Sequence, residues 1–154
     1  MASDYHGFVI VGAGGLGHEV LSAWLAAGHS SDAFLGFVDP VAPDRARLDA
    51  LGANWLGPDE VLHDLKAGTG VCVAIGNEAT RRSVTGVVLE AGLVLVSVID
   101  ATATLGSTVS VGAGSILLMQ SSATVHVHMG TGVLINPGVR IAHDCVIGDF
   151  SSLS

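Results

Sequence analysis

Charged residues make up only 13% of this 154-residue sequence, and they are lopsided: six Lys and Arg against 14 Asp and Glu, a formal net charge of −8. No run of Lys or Arg occurs, so a surface that tracks a phosphate backbone is not expected and nucleic acid is excluded as a partner. Cysteine is almost absent. Cys72 and Cys145 both lie in apolar, strand-like contexts, which excludes a disulfide framework and predicts two reduced, buried thiols in a cytoplasmic protein. Long apolar runs are missing too, although mean hydropathy is +0.61. The most apolar stretch, Val87 to Ile99, is interrupted by Glu90 and Gly92, short of the roughly 18–20 residues of a membrane span. The N-terminal MASDYHGFVIVG has neither a basic n-region nor a cleavage pattern, so no signal peptide is expected.

Glycine, at 21 residues, and a hydrophobic fraction of 49% are what the sequence has in plenty. Low charge with abundant glycine is unusual for a helical protein and implies many tight corners. Up to Ser97 the pattern alternates. Phe8–Val11 is a short apolar run stopped by Gly12, as in a buried parallel strand. Leu16 to Ala27 has helical spacing, with Gly28 at the C′ position. Leu35–Val38 is a second strand, and a loop rich in Pro, Asp and Ala leads on to Asn54–Leu56. Pro58-Asp59-Glu60 opens a short helix. Val71–Ile75 is a strand, Asn77 caps a helix over Glu78–Ala91, and Leu93–Val98 closes the set. Alternating β and α elements predict a parallel sheet covered on both faces.

From Ile99 a period of six takes over: IDATAT, LGSTVS, VGAGSI, LLMQSS, ATVHVH, MGTGVL, INPGVR, IAHDCV, IGDFSS. Every first position is apolar, every fifth is small or branched, and Gly recurs at the second. A repeat of this kind outranks local propensity. The first residue fills the interior of a triangular coil, the fifth fits a corner, and three hexapeptides close one turn, so stacked positions differ by 18. The fold class is therefore α/β: a small Rossmann-like parallel-sheet domain over residues 1–98, then a left-handed parallel β-helix over 99–154.

Two motifs carry chemistry. Gly12-Ala13-Gly14-Gly15-Leu16-Gly17 satisfies G-x-G-x-x-G between a strand and a helix, and Asp39 ends the second strand. Such a loop admits a phosphate to a helix N-terminus while the acid takes a ribose hydroxyl. The other reading is a tight turn that needs glycine for its backbone alone. His143-Asp144 stands at the outward third and fourth positions of IAHDCV. There His143 can take a proton from an attacking amine or hydroxyl while Asp144 holds its tautomer. Cys145 occupies an inward fifth position and packs rather than reacts.

The segments IVGAGGLGHEV, GFVDP, VAIGNEATRR and VLINPGVRIAHDCVIGDFSSLS together resemble bacterial sugar O-/N-acyltransferases, including sialic acid O-acetyltransferases and UDP-4-amino-sugar N-acetyltransferases. The resemblance implies a homotrimer that uses acetyl-CoA to acylate a nucleotide-activated or free amino sugar. It also implies roles for particular residues. His143 matches the general base and Asp144 the acid that follows it. Asn136 matches an Asn near the sugar. Gly12, Gly14, Gly15, Leu16, Gly17, Asp39, Gly76 and Asn77 match the nucleotide-holding region. Ser152 stands at a position associated with CoA, where many members have His, and Leu16 stands where many have another His, with His18 close by. Ser154 falls in mid-repeat, where members usually continue for further coils, so the resemblance implies either a C-terminally truncated chain or a naturally short variant.

Three alternatives remain open from the sequence. One is a non-catalytic nucleotide-sugar-binding trimer with a shortened helix. A second is a γ-carbonic-anhydrase-like metalloenzyme, raised by His126 and His128, the former one coil below Asp144 and within possible reach of it. The third is an NAD-dependent oxidoreductase. The leading reading expects no metal.

Overall fold

In the computed structural model, which describes residues 5–154, the sheet forms as the alternation implies. The first four residues of the segment expected over 1–98 lie outside the described residues. Five strands, β1 (Phe8–Val11), β2 (Phe34–Val38), β3 (Trp55–Gly57), β4 (Gly70–Val73) and β5 (Val94–Leu95), run parallel in the order β3-β2-β1-β4-β5. Strands β1 and β4 are buried at every residue, which explains their unbroken Val/Ile/Phe/Cys character. Helices α1 (Gly15–Ala26), α2 (Arg45–Leu51) and α3 (Glu78–Glu90) connect them. One apolar cluster joins Phe8, Ile10, Trp24 and Phe37 to Val98, Ile116 and Leu118, so α1's side of the sheet shares a core with the first coils of the second unit. The other joins Val9, Val11, Val71 and Val73 to Val84 and Val88 of α3.

Helix α2 departs from the expected loop. Asp44 accepts the Arg47 N–H at 3.2 Å as its N-cap, and Gly52 ends it at φ +59°. These are cap signals that the surrounding Pro, Asp and Ala obscured. Leu93–Val98 is also not one strand: β5 closes the sheet, while Val98 pairs with Ile116 in the next unit.

From Val98 onward, ten two-residue strands, β6 (Val98–Ile99) to β15 (Ser152–Leu153), form a parallel β-helix with three faces. Every ladder has an 18-residue offset: Ser122 faces Thr104 and Arg140, and Leu134 faces Ile116 and Ser152. First- and fifth-position side chains such as Leu117, Val127, Val133 and Ile135 fill the interior. Most corners turn at the fourth position, where Gly114, Gly132 and Gly138 adopt positive φ, and so do Gln120, His126, Asp144 and Phe150.

Candidate active site

Loops after β1 and β4 meet at the point where strand order reverses, the crevice in which an open parallel sheet binds ligands. The glycines there divide into two groups. Gly12 has φ +102°, and a Cβ on it would lie 2.5 Å from the Ala74 carbonyl oxygen; one on Gly17 would lie 1.9 Å from the Gly12 oxygen. Those two satisfy the turn-geometry reading. A Cβ on Gly14, Gly15 or Gly76 would meet nothing within 4 Å, and none has positive φ. Neither backbone nor packing requires glycine at these three, and a Cβ on any of them would enter open space. No side chain caps α1 at Gly14, which leaves the first-turn N–H groups without a capping acceptor.

Asp39 lines the same crevice. Its carboxylate accepts the Ala13 N–H at 2.8 Å and the Val41 N–H at 2.9 Å. Two carboxylate oxygens retain acceptor capacity for a hydroxyl beyond these bonds. Trp55, which is part-exposed, donates its indole N–H to the Asp39 carbonyl at 3.1 Å. Asn77 caps α3, accepting the Thr80 N–H at 2.9 Å and its hydroxyl at 3.0 Å. Leu16 packs against the core. His18 lies 5.5 Å from the Phe37 ring with its Nε2 buried and unbonded. Nearby, burial pushes the Asp59 carboxyl up, helped by the charges of Glu60 and Asp39.

His143 and Asp144 sit at an exposed β-helix corner, with side chains 71% and 69% accessible. Their Nδ1 and Oδ2 are 2.6 Å apart. An ionised carboxylate only accepts, so Nδ1–H donates, and in the neutral ring Nε2 is then the acceptor. Asp144 holds φ +60°. Among the described residues no hydrogen bond ties this pair to the glycine crevice. Nor does His126 bond to Asp144: its backbone N–H goes to Thr108 Oγ1 at 2.8 Å. His128 Nδ1 instead meets Ser110 Oγ at 2.8 Å, beside an open depression of about 370 Å³ that it lines with Val146 and Asp149. Asn136 donates its side-chain N–H to the Leu153 carbonyl at 3.0 Å.

A family model for the PglD N-terminal domain matches residues 8–88. The chain belongs to this family. No curated protein matches by sequence. Among solved structures, the acetyltransferase domain of PglB from Neisseria gonorrhoeae, in complex with acetyl coenzyme A, superposes with TM-score 0.83 at 23% identity, covering 96% of this chain and 70% of that one. A variant of GDP-perosamine N-acetyl transferase from Caulobacter crescentus, in complex with CoA and GDP-perosamine, gives 0.84 at 26%, covering 95% and 67%. WeeI from Acinetobacter baumannii gives 0.80 at 23%, covering 95% and 68%.

One residue of the PglD-type segment carries no signal in the sequence of the role that the structure gives it. Arg81, 1% exposed, donates to the carbonyls of Ile75 (2.7 Å), Gly76 (2.9 Å), Gly132 (2.9 Å) and Phe150 (2.6 Å), and to Ser152 Oγ (2.8 Å). Desolvation lowers its pKa, and the charge of Glu78 offsets part of that. The two cysteines differ: Cys72 is buried, its thiol pushed up to about 12 by desolvation, whereas Cys145 is only half-buried, packed at the edge of the β-helix interior. Among the described residues no three His, Cys, Asp or Glu side chains are grouped to hold a metal, and no helix is long and apolar enough to cross a membrane.

Proposed function

We propose that the chain is an acetyl-CoA-dependent sugar acetyltransferase acting on a nucleotide-linked amino sugar, with O-acetylation of sialic acid as the variant acceptor chemistry. The observation that carries it is the 2.6 Å His143–Asp144 contact, which leaves Nε2 free as a proton acceptor on an exposed corner. The same chain offers an uncapped helix N-terminus and three sterically unconstrained glycines to a nucleotide's phosphates. Structural relatives with CoA and GDP-perosamine bound support the substrate class.

In this reading Nε2 takes the proton from the sugar amine as its nitrogen attacks the thioester carbonyl. The tetrahedral intermediate collapses with loss of the C–S bond, and the imidazolium returns its proton to the leaving thiolate. Asp144 keeps Nδ1 protonated and favours the transient imidazolium. Gly12, Gly14, Gly15, Gly17, Asp39, Gly76 and Asn77 hold the nucleotide, with Leu16 packing the loop. Asn136 lies toward the sugar and Ser152 toward CoA. A homotrimer would bring one subunit's crevice to a neighbour's His143, which matches the lack of a bond between the two within one chain. A cytoplasmic location, where nucleotide sugars and acetyl-CoA are available, belongs to the same proposal.

Thiol release from acetyl-CoA, followed over a panel of UDP- and GDP-linked amino sugars and sialic acid, tests it. Sugar-dependent release should fall by about 10²–10⁴-fold in His143→Ala. Release unaffected by that substitution would remove His143 as the base. Nucleotide-sugar binding without release over the whole panel would favour a non-catalytic binding trimer.

A further inference from the structure

Arg81 has five N–H groups, and all five are engaged. Nε–H goes to Gly132, the Nη1 pair to Ile75 and Gly76, and the Nη2 pair to Phe150 and Ser152. No carboxylate among the described residues pairs with it. A ligand phosphate therefore finds no free donor on this guanidinium, and any effect on a substrate must pass through the groups it holds. Stability is a poor account of such a residue, because burying a cation carries a desolvation cost that apolar packing would avoid. What a planar, five-donor fork supplies is geometry.

The partners lie on both sides of the molecule's seam. Ile75 and Gly76 form the turn that closes the glycine crevice after β4. Gly132 and Phe150 are stacked corners of the β-helix, 18 residues apart, and Ser152 follows the second. Phe150 holds φ +60°, a strained conformation for a bulky residue. Its carbonyl receives the shortest Arg81 bond, and its ring lies under the Arg82 guanidinium at 4.4 Å.

We infer that Arg81 is a positioning residue that locks the Ile75–Gly76 turn to the Phe150–Ser152 corner, and so sets where the sugar nucleotide lies relative to acetyl-CoA. The identity of the two substrates rests on the function proposed above; the mechanical lock does not.

Two variants of the full chain test it. Arg81→Lys keeps a charge but has no planar fork. Gly132→Ala leaves Arg81 intact, yet a Cβ there would lie 2.6 Å from the Phe150 ring and shift that residue's carbonyl. Hydrogen exchange at residues 80–81, whose amides bond Asn77, and at residues 150–151, whose amides bond Thr131 and Gly148, should accelerate together by at least about tenfold in Arg81→Lys, while Val9–Val11 keep wild-type rates. Acetyl transfer should lose about 10²-fold in kcat, the loss expected from a misplacement of roughly 1 Å, with both KM values within about twofold. Acceleration at only one of the segments, or equally throughout the chain, overturns the lock. Both segments loosened with wild-type kcat overturns the positioning role. If Arg81→Lys does not fold, Gly132→Ala decides: residues 80–81 must loosen although the change is in the β-helix, and unaltered exchange there overturns the inference. Absence of turnover in the wild-type chain would instead remove the substrate reading, and the exchange measurements would still decide the lock.

Discussion

Asp144 combines two demands on one residue: a carboxylate within 2.6 Å of His143 Nδ1 and a left-handed corner at φ +60°. Asp accepts this backbone region better than most residues. Substitutions should therefore separate shape from chemistry. Asp144→Gly is expected to stay within about 1 kcal/mol of wild-type stability, since relief of the corner and the entropy of glycine offset each other. Asp144→Val should lose about 1–2 kcal/mol in thermal or urea unfolding. Acetyl transfer should drop in both. With the pair largely exposed, the loss should stay well under the ~10⁴-fold seen when a buried triad aspartate is replaced. Wild-type turnover in Asp144→Gly would show that the carboxylate does nothing for His143. Asp59 offers a pH test. Its carboxyl is raised by burial and by Glu60 and Asp39, with Oδ1 unpartnered. A raised folded-state value contributes stability that is complete below 3.8 and lost as pH rises through the folded value. Asp59→Asn should accordingly exceed wild type in urea midpoint at pH 7, with the gap closing below about pH 4. A gap that widens on acidification would reverse the sign.

At the scale of the element, the glycine loop and the β-helix corners use the same residue for different ends. Gly17→Ala places a methyl 1.9 Å from the Gly12 oxygen, and overpacking of this kind should cost about 1–3 kcal/mol. Gly14→Ala meets nothing, so unfolding should move by less than about 1 kcal/mol, either way. Binding of a nucleoside diphosphate, measured by calorimetry, should nonetheless weaken by more than about tenfold, because backbone approach at the helix N-terminus is what an anion needs. Equal affinity in Gly14→Ala and wild type would mean that the open glycines do not contact the ligand. In the β-helix, first- and fifth-position side chains build the interior, while the fourth position determines the turn. Thr102 and Thr108 stand at that position with hydroxyls that accept the N–H of Gln120 and His126 one coil on. Most later corners adopt left-handed backbone instead.

For the whole molecule, the shared cluster around Val98, Ile116 and Phe37 and the Arg81 fork join the sheet to the β-helix. If catalysis takes place between subunits, sedimentation should report three chains per particle; a stable monomer with full activity would place crevice and base in one chain. The sequence alone determined the architecture, because hydrophobic period is a local property: unbroken apolar runs become buried parallel strands, and a strict six-residue register leaves few ways to close a coil. It also singled out His143-Asp144 and the glycine loop, whose chemistry depends on neighbours close in the chain. Helix α2 reads as loop in the sequence, since Asp44 and Gly52 signal a helix only when taken together across seven residues. Arg81 was invisible for a different reason. Its partners lie as far as 71 residues away, and an arginine on an amphipathic helix reads as a solvated face until folding places it. Which glycines are required by the turn and which leave space was likewise a tertiary matter, since it turns on the Ala74 carbonyl and on open volume. Local periodicity sets where chain segments go; only packing decides which polar groups are buried, and against what.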